Sequence, residues 1–438
     1  MGNRLTKVLF VLFVLGNATS ANAEEAPDWN AETLSGDWGG ARSSLYDNGI
    51  TVELTHKSDV LAVASGGIKH GSAWMGNTEA SIQMDLEKLL GWGATTAYIH
   101  SHSQLGSKFN RDYVGSFIGV DNIENGVNTF QFDHAWVQKN FSDDSLSVLA
   151  GLYAIDSEFY VTDTSGLFIQ PPYGPGNELS QSGQFGPPIF PLGALAIRVK
   201  YTSPSQNFYL QGALTDGVPS DPNNPRGTHI QLNRGEGAFS IVEFGYTPQR
   251  IEPLSESAQL GGSVKTPSEE QGKSEFFNKT AIGFWRYSAR IDDPIDLDAL
   301  GNPVRRLSVG IYFLAERTLM AEKDHPSQGL AGFVRFGTAS RAIHQADWTG
   351  SLGLRYHGLF SGRGNDIAGI AITVNHASDK YRQLNNADIS QTSMEATYRA
   401  QLNPWLALLP TLQYFHNPNM DPALKNAWIA GARAEIGF

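Results

Sequence analysis

The stretch Trp428-Ile429-Ala430-Gly431-Ala432-Arg433-Ala434-Glu435-Ile436-Gly437-Phe438 changes character at every step. Trp428, Ala430, Ala432, Ala434, Ile436 and Phe438 fall on one side, while Arg433 and Glu435 share the other with Ile429 and two glycines. A period of two marks an extended strand whose successive side chains point to opposite faces, here one greasy and one wet. A soluble sandwich builds strands of this kind with the greasy face turned into a core. Recurrence of the pattern along the chain, with an aromatic residue closing the stretch, points instead to a membrane barrel whose last strand completes the wall.

The recurrence is clear in several places. From Gln391 to Gln401 the odd positions Gln391, Ser393, Glu395, Thr397, Arg399 and Gln401 are all polar. Leu195–Thr202 sets Leu195, Ile197, Val199 and Tyr201 against Arg198, Lys200 and Thr202, and Trp348–His357 and Glu79–Leu86 alternate in the same way. Less regular versions occur near Thr51–Lys57, Thr129–Lys139, Ser145–Tyr153, Phe208–Thr215, Arg306–Glu316 and Ile367–Ala377. A polar face on bulk solvent needs no particular charge, whereas a confined aqueous lumen accommodates Arg, Lys and Glu at mid-strand. Arg198, Lys200, Arg335, Arg355, Glu395 and Arg399 therefore favour a lumen. Tyr201, Trp348, Tyr356, Tyr398, Tyr414, Trp428 and Phe438 suit aromatic girdles at two membrane interfaces.

The amino-terminal end carries Arg4 and Lys7, the apolar run Val8–Leu15, and Ala21-Asn22-Ala23. This is the order of a secretory signal, with residues 1–23 removed and export as the consequence. The formal charge of −12 over 438 residues becomes more negative once Arg4 and Lys7 are lost, so nucleic acid is not an expected partner. The absence of cysteine excludes a disulfide scaffold and a thiolate metal site. Beyond the signal, no stretch approaches the roughly 20 apolar residues of a membrane helix.

At roughly 26 residues per strand and connection, the exported chain holds about 16 strands, within the range of barrels wide enough for an aqueous channel. The expected fold is all-β: a transmembrane antiparallel β-barrel over residues 51–438, preceded by a periplasmic segment, residues 24–50, with a short helix. Leu90–Gly93, Ser142–Asp144 and Leu402–Trp405 read as tight periplasmic turns, and Gln249–Lys279, Asp292–Asn302 and Ala321–Gly329 as external loops.

Two segments break the strand pattern. In Leu34–Ile50, LSGDWGGARSSLYDNGI, Asp37 can cap a helix from Gly39 that Asn48-Gly49 ends. In Glu158–Leu192, the prolines of Pro171-Pro172-Tyr173-Gly174-Pro175 and Pro187-Pro188-Ile189-Phe190-Pro191 forbid a central strand. A loop this long in a barrel is expected to fold inward as a constriction, residues 158–192.

GDWGGAR at Gly36–Arg42, the run GLYAIDSEFYVTDTSGLFIQPPYG from Gly151, and YRAQLNPWLALLPTLQYFHNP at Tyr398–Pro418 resemble, in this order, the segments of the OprB-type carbohydrate-selective porins. The resemblance implies a sixteen-stranded outer-membrane barrel that passes sugars down their gradient. The Pro-rich QPPYGPG at Gln170–Gly176 departs from the family pattern. Expected partners are mono- or small oligosaccharides, outer-membrane lipid and lipopolysaccharide, and the barrel-assembly machinery acting on the strand that ends in Phe438; a homotrimer is compatible with this reading.

A sugar offers hydroxyls and an apolar ring face, so planar charged groups and aromatic platforms in a narrowed passage suit it. The candidate filter comprises lumen-phase Arg198, Arg355, Arg399 and Glu395, with Asp156, Glu158, Phe168, Tyr173 and Phe190 on or beside the loop; Tyr153, Phe159, Tyr160 and Phe185 extend its aromatic set. Asp156 and Glu158 are expected to anchor the loop to a basic wall, and each arginine has an alternative as a bracing salt-bridge partner. No cofactor, metal or catalytic group is expected. His100 and His102 share a face but lack a third ligand at a diagnostic spacing, and Asp133-His134, adjacent in a strand, would point to opposite faces. A general or anion-preferring porin, an outer-membrane enzyme and a secreted β-sandwich lectin are the competing readings.

Overall fold

The computed structural model describes residues 27–142, 144–221, 223–233, 235–248 and 277–438. The expected signal at residues 1–23 lies outside them. The described residues form sixteen strands: β1 (Ile50–Gly67), β2 (Gly71–Asp85), β3 (Thr95–Gly106), β4 (Thr129–Phe141), β5 (Leu146–Tyr153), β6 (Ala194–Thr202), β7 (Phe208–Asp216) and β8 (Ala238–Tyr246). There follow β9 (Asn278–Leu297), β10 (Pro303–Ala321), β11 (Gly329–Ala339), β12 (Ala346–His357), β13 (Ile367–Ala377), β14 (Ser390–Asn403), β15 (Leu406–His416) and β16 (Lys425–Gly437). Each pairs antiparallel with its chain neighbours, and β1 pairs with β16 through Asp59↔Arg433 and Ala62↔Ala430 to close the barrel. Closure leaves no sheet edge with unpaired backbone groups, as a membrane wall requires.

Alternation fixes which face looks out. Ile197, Val199 and Tyr201 of β6, Leu352 and Leu354 of β12, and Trp428 of β16 are exposed on the outer wall, whereas Arg198, Ser351, Arg355, Glu395 and Arg433 are buried on the inner one. Among the described residues no helix is long and apolar enough to cross a membrane.

Strand parity places every connection after an even-numbered strand at the end where β1 starts and β16 finishes. Leu90–Gly93 and Leu402–Trp405 lie there as expected, but so does Ala321–Gly329, which therefore cannot face the opposite side from those turns. Asp292–Asn302 is partly strand: β9 runs to Leu297 and β10 starts at Pro303, with Asp298 N donating to Asn302 O and Asp298 Oδ1 accepting from Asn302 N across the turn. Of Gln249–Lys279, residues 249–276 lie outside the described residues, and Lys279 already belongs to β9.

The segment before β1 carries helices Trp29–Glu32 and Ala41–Asp47. The second starts two residues later than expected, because Gly39 and Gly40 take positive φ. Asp37 still caps it, accepting from Ser43 N at 2.7 Å and Ser43 Oγ at 2.8 Å. Arg42 is stacked on Trp29 and Trp38 and donates to the main-chain oxygens of Phe438 at 2.8 Å and Val52 at 2.9 Å. The segment thus clasps both β1 and the end of β16, where the barrel shuts.

Candidate functional site: a lumen crossed by two loops

Residues 154–193, between β5 and β6, leave the wall and fold into the lumen. Proline and short 3-10 turns give this loop no ladder of its own, so its backbone groups need partners. Wall side chains supply them. Glu243 on β8 accepts from Tyr160 N at 2.9 Å, and Glu316 on β10 accepts from Thr164 N and Thr164 Oγ1, both at 2.9 Å. Glu395 on β14 accepts from Ile169 N at 2.8 Å and Gln170 N at 3.0 Å. Arg335 on β11 supplies the opposite chemistry, donating to the carbonyl oxygens of Tyr160 and Tyr173. Lys279 on β9 donates to Val161 O at 2.8 Å.

The base of the loop is held by charge. Arg198 on β6, 2% exposed, donates to Glu158 at 2.7 Å and also to Ser147 and Gln138, with Lys200 at 3.6 Å from the same carboxylate. Burial acts to raise the Glu158 carboxyl, but Arg198 and Lys200 outweigh it and hold it down at about 2. Asp156 has no such cation: burial pushes it up to about 6, although both its oxygens accept from Phe190 N.

The loop's aromatic residues are spent on packing. Phe159, Tyr160, Phe168 and Tyr173 are buried against the wall, with Tyr160 stacked on Tyr312 at 3.9 Å and Phe168 and Tyr173 packed on Phe333. Phe185 is exposed, and partly buried Phe190 lies 5.1 Å from the His102 ring. Arg355 and Arg399 do not sit level with Glu395. Register pairs Glu395 with Ala371, Arg355 with Gly369, and Arg399 with Ile367, so the two arginines lie progressively nearer the end with the termini. Arg355 packs over Phe277 at 5.0 Å, level with Gly369, which Leu167 and Phe168 of the loop approach. Arg399 pairs with Glu435 at 3.0 Å at the rim, in a crevice shared with Trp29 and Arg42.

Sequence reading did not foresee a second inward loop. Residues 107–128, between β3 and β4, bury Phe109, Val114, Ile118, Val120 and Ile123 against Leu61, Phe415 and Ile429. Its Asp121 and Asn122 reach Arg433, which also grips Asp59 on β1 at 2.7 Å. The loops touch where Asn122 N donates to Ile169 O and Gln181 to Phe117 O. The available signal was a run of well-spaced apolar residues inside a segment too polar for a strand.

The His100 region also differs from expectation. A bulge between His100↔His134 and Ser101↔Phe132 leaves Asp133 without a ladder partner, so Asp133 and His134 both turn inward rather than to opposite faces. The Asp133 carboxylate accepts from His100 at 2.5 Å, His134 at 2.9 Å and His102 at 3.4 Å. This cluster, with Phe190 laid on His102, shores up the end of the constriction loop. Only the Nδ1 atoms are engaged with the carboxylate; Nε2 of His102 and of His134 are buried without a partner, and His100, Asp133 and His134 stand close enough together to hold a cation.

The model for the carbohydrate-selective porins of the OprB family matches residues 69–438. The chain is 24% identical to Porin B of Pseudomonas aeruginosa over 99% of its own length and 98% of that protein's. It is 22% identical to the putative porin QuiX of Acinetobacter baylyi over 92% and 93%. In fold it superposes on the high-pH structure of Pseudomonas putida OprB with a TM-score of 0.79 at 20% identity, covering 94% of this chain and all of that one. A closed sixteen-stranded wall, a lumen narrowed by an inward loop and a family match over most of the chain agree: the chain belongs to the OprB family of carbohydrate-selective porins, diffusion channels of the bacterial outer membrane.

Proposed function

We propose that sugars cross this barrel past the two inward loops, and that Arg355, at the terminal-end edge of the constriction loop, takes part in selecting them. The observation that carries the reading is the loop's attachment at the level of Glu316 and Glu395, with Arg355 over Phe277 at its lower edge. Arg355 over Phe277 combines a planar donor with an apolar ring, the pairing a pyranose face and its hydroxyls require. Arg198, Glu395, Asp156, Glu158, Phe168, Tyr173 and Phe190 serve this filter as positioning residues, because their polar groups and rings are engaged in holding the loop. Arg399 belongs to the rim. Binding stays weak, as passage requires. The outer face meets lipid, with lipopolysaccharide around the end opposite the termini, and β16 is the strand the assembly machinery would engage; a monomer suffices for the passage, and a homotrimer would multiply it.

Single-channel conductance of the refolded protein in planar bilayers, titrated with neutral mono- and disaccharides, tests this. Sugar should block current in a concentration-dependent way, and Arg355→Ala should weaken the block about tenfold, the equivalent of about 1.4 kcal/mol. Arg399→Ala should leave it unchanged. Equal block in wild type and Arg355→Ala would remove Arg355 from the filter, and strong anion preference without sugar block would favour a general porin.

A further inference from the structure

At the end of the barrel opposite the termini, three donor-type side chains converge. Asp216 is the last residue of β7, and His229 and Glu236 lie on the 217–237 connection to β8. Nε2 of His229 stands 3.8 Å from Asp216 Oδ2 and 3.9 Å from Glu236 Oε2, and all three atoms lie within 4.8 Å of one another. Both separations exceed hydrogen-bond length, and His229 Nε2 is buried without a partner. Two carboxylates facing each other across an unpartnered imidazole nitrogen are costly unless something positive sits between them.

The spacing identifies what fits. A point equidistant from the three atoms lies about 2.2–2.5 Å from each, against about 2.0–2.2 Å for nitrogen and oxygen bonds to zinc, so a shift of a few tenths of an ångström closes the shell. Glu236 is already aimed: Asn233 donates to its two oxygens from N at 3.0 Å and from Nδ2 at 2.9 Å, the kind of outer support that fixes a ligand. In the grouping of His100, Asp133 and His134 the carboxylate already accepts from both Nδ1 atoms, at 2.5 and 2.9 Å, whereas Asp216 and Glu236 make no hydrogen bond to His229, which separates the two groupings.

The geometry points to a divalent transition-metal site, formed by Asp216, His229 and Glu236, that pins the 217–237 loop to the rim. One imidazole and two carboxylates suit zinc and its neighbours rather than calcium or magnesium, which take oxygen alone. The bound cation would lock a structural element, because this loop completes the wall above the short strand β5. Thr228 Oγ1 accepts from Phe132 N at 2.9 Å, and Thr129 Oγ1 and Gln131 Nε2 donate to Arg226 O and Gly227 O. A metal at Asp216 ties the other side of that bridge to β7.

Tag-free protein refolded in detergent, stripped with chelator and titrated with Zn²⁺ by calorimetry, should show one site, and Co²⁺ in its place should give a visible ligand-field band. His229→Ala should weaken binding at least about 100-fold, and Asp216→Asn with Glu236→Gln should do the same. Zn²⁺ should slow proteolysis within residues 217–237 at least about tenfold in the wild type and not in His229→Ala. Heat-modifiable migration on gels confirms that each variant still forms the barrel. Absence of Zn²⁺ binding, or binding abolished by His134→Ala and retained in His229→Ala, overturns the assignment.

Discussion

Replacement of Glu395 by alanine isolates the role of the wall carboxylates. In the native barrel each oxygen of Glu395 accepts one loop N–H, Ile169 at 2.8 Å and Gln170 at 3.0 Å. Truncation leaves two buried donors unpaired at about 1–3 kcal/mol each, so the docked loop loses about 2–6 kcal/mol. Water can enter the lumen and rehydrate both groups, which selects the lower end of the range. About 2 kcal/mol multiplies the undocked population about 30-fold. The wall itself should survive, because β14 keeps its ladders to β13 and β15. In a planar bilayer the variant should show larger and noisier open levels, with excursions about 30 times more frequent, and sugar block should fall in parallel although no proposed sugar contact has been removed. Glu316→Ala, which frees Thr164 N and its hydroxyl, should behave alike. Unchanged conductance, noise and block in both variants would refute the idea that these glutamates hold the loop.

Three further outcomes follow from the same geometry. Asp156, pushed up to about 6 by burial, is held preferentially protonated, so its cost is absent below about pH 4 and grows to about 3 kcal/mol above pH 6; protease cleavage of residues 154–193 should accelerate across that window, and Asp156→Asn should flatten the profile, whereas cleavage that slows with rising pH contradicts the sign. Arg42→Ala removes three charged-donor bonds, to Phe438 O, Val52 O and Thr33 Oγ1, at about 1.5–3 kcal/mol each, and should lower the temperature at which the barrel opens in detergent gels; an unaltered transition would show that the amino-terminal clasp does not stabilise the closure. Gly369→Leu would place a side chain where a Cβ already comes within 2.5 Å of Leu167 and 2.9 Å of Phe168, so it should dislodge the loop edge and alter sugar block without touching a charged residue; unchanged block would mean that the loop edge does not set the passage.

The wall was legible in the sequence because lipid imposes one rule on every strand: apolar residues outward, polar residues inward, with a period of two. Strands such as β6, β12, β14 and β16 obey it, and all were anticipated. β9 was hidden because its upper half, through Arg290, Asp292 and Asp293, carries charge past the apolar belt and reads as loop. The bulge at Asp133 was invisible for a related reason: one extra residue reverses which face the next side chain takes, and nothing in Asp133-His134 announces it. Lumenal charge was correctly placed on the inner face, yet its partners depend on where the two loops fall, which alternation does not encode. So Arg355 and Arg399 looked equivalent in sequence, while register sets them at different heights.

The mid-strand charges acquire a common explanation once the loops are in place. A segment folded into a lumen has no neighbouring strand to satisfy its amides. Several of its N–H groups meet wall carboxylates and several carbonyls meet wall cations: Glu243, Glu316 and Glu395 for the amides, Arg335 and Lys279 for the carbonyls. Wall charge then has two separable duties. Groups matched to loop backbone set the aperture, and changing them changes every solute's passage together through the loop. Groups that do not bond the loop backbone, such as Arg355 over Phe277, are the ones proposed to meet the solute, and changing them should discriminate among sugars while leaving the aperture as it was. A double substitution at Glu395 and Arg355 separates the duties: independent effects on sugar block indicate two duties, whereas loss of the Arg355 effect in the Glu395→Ala background means that Arg355 acts only while the loop is docked beside it.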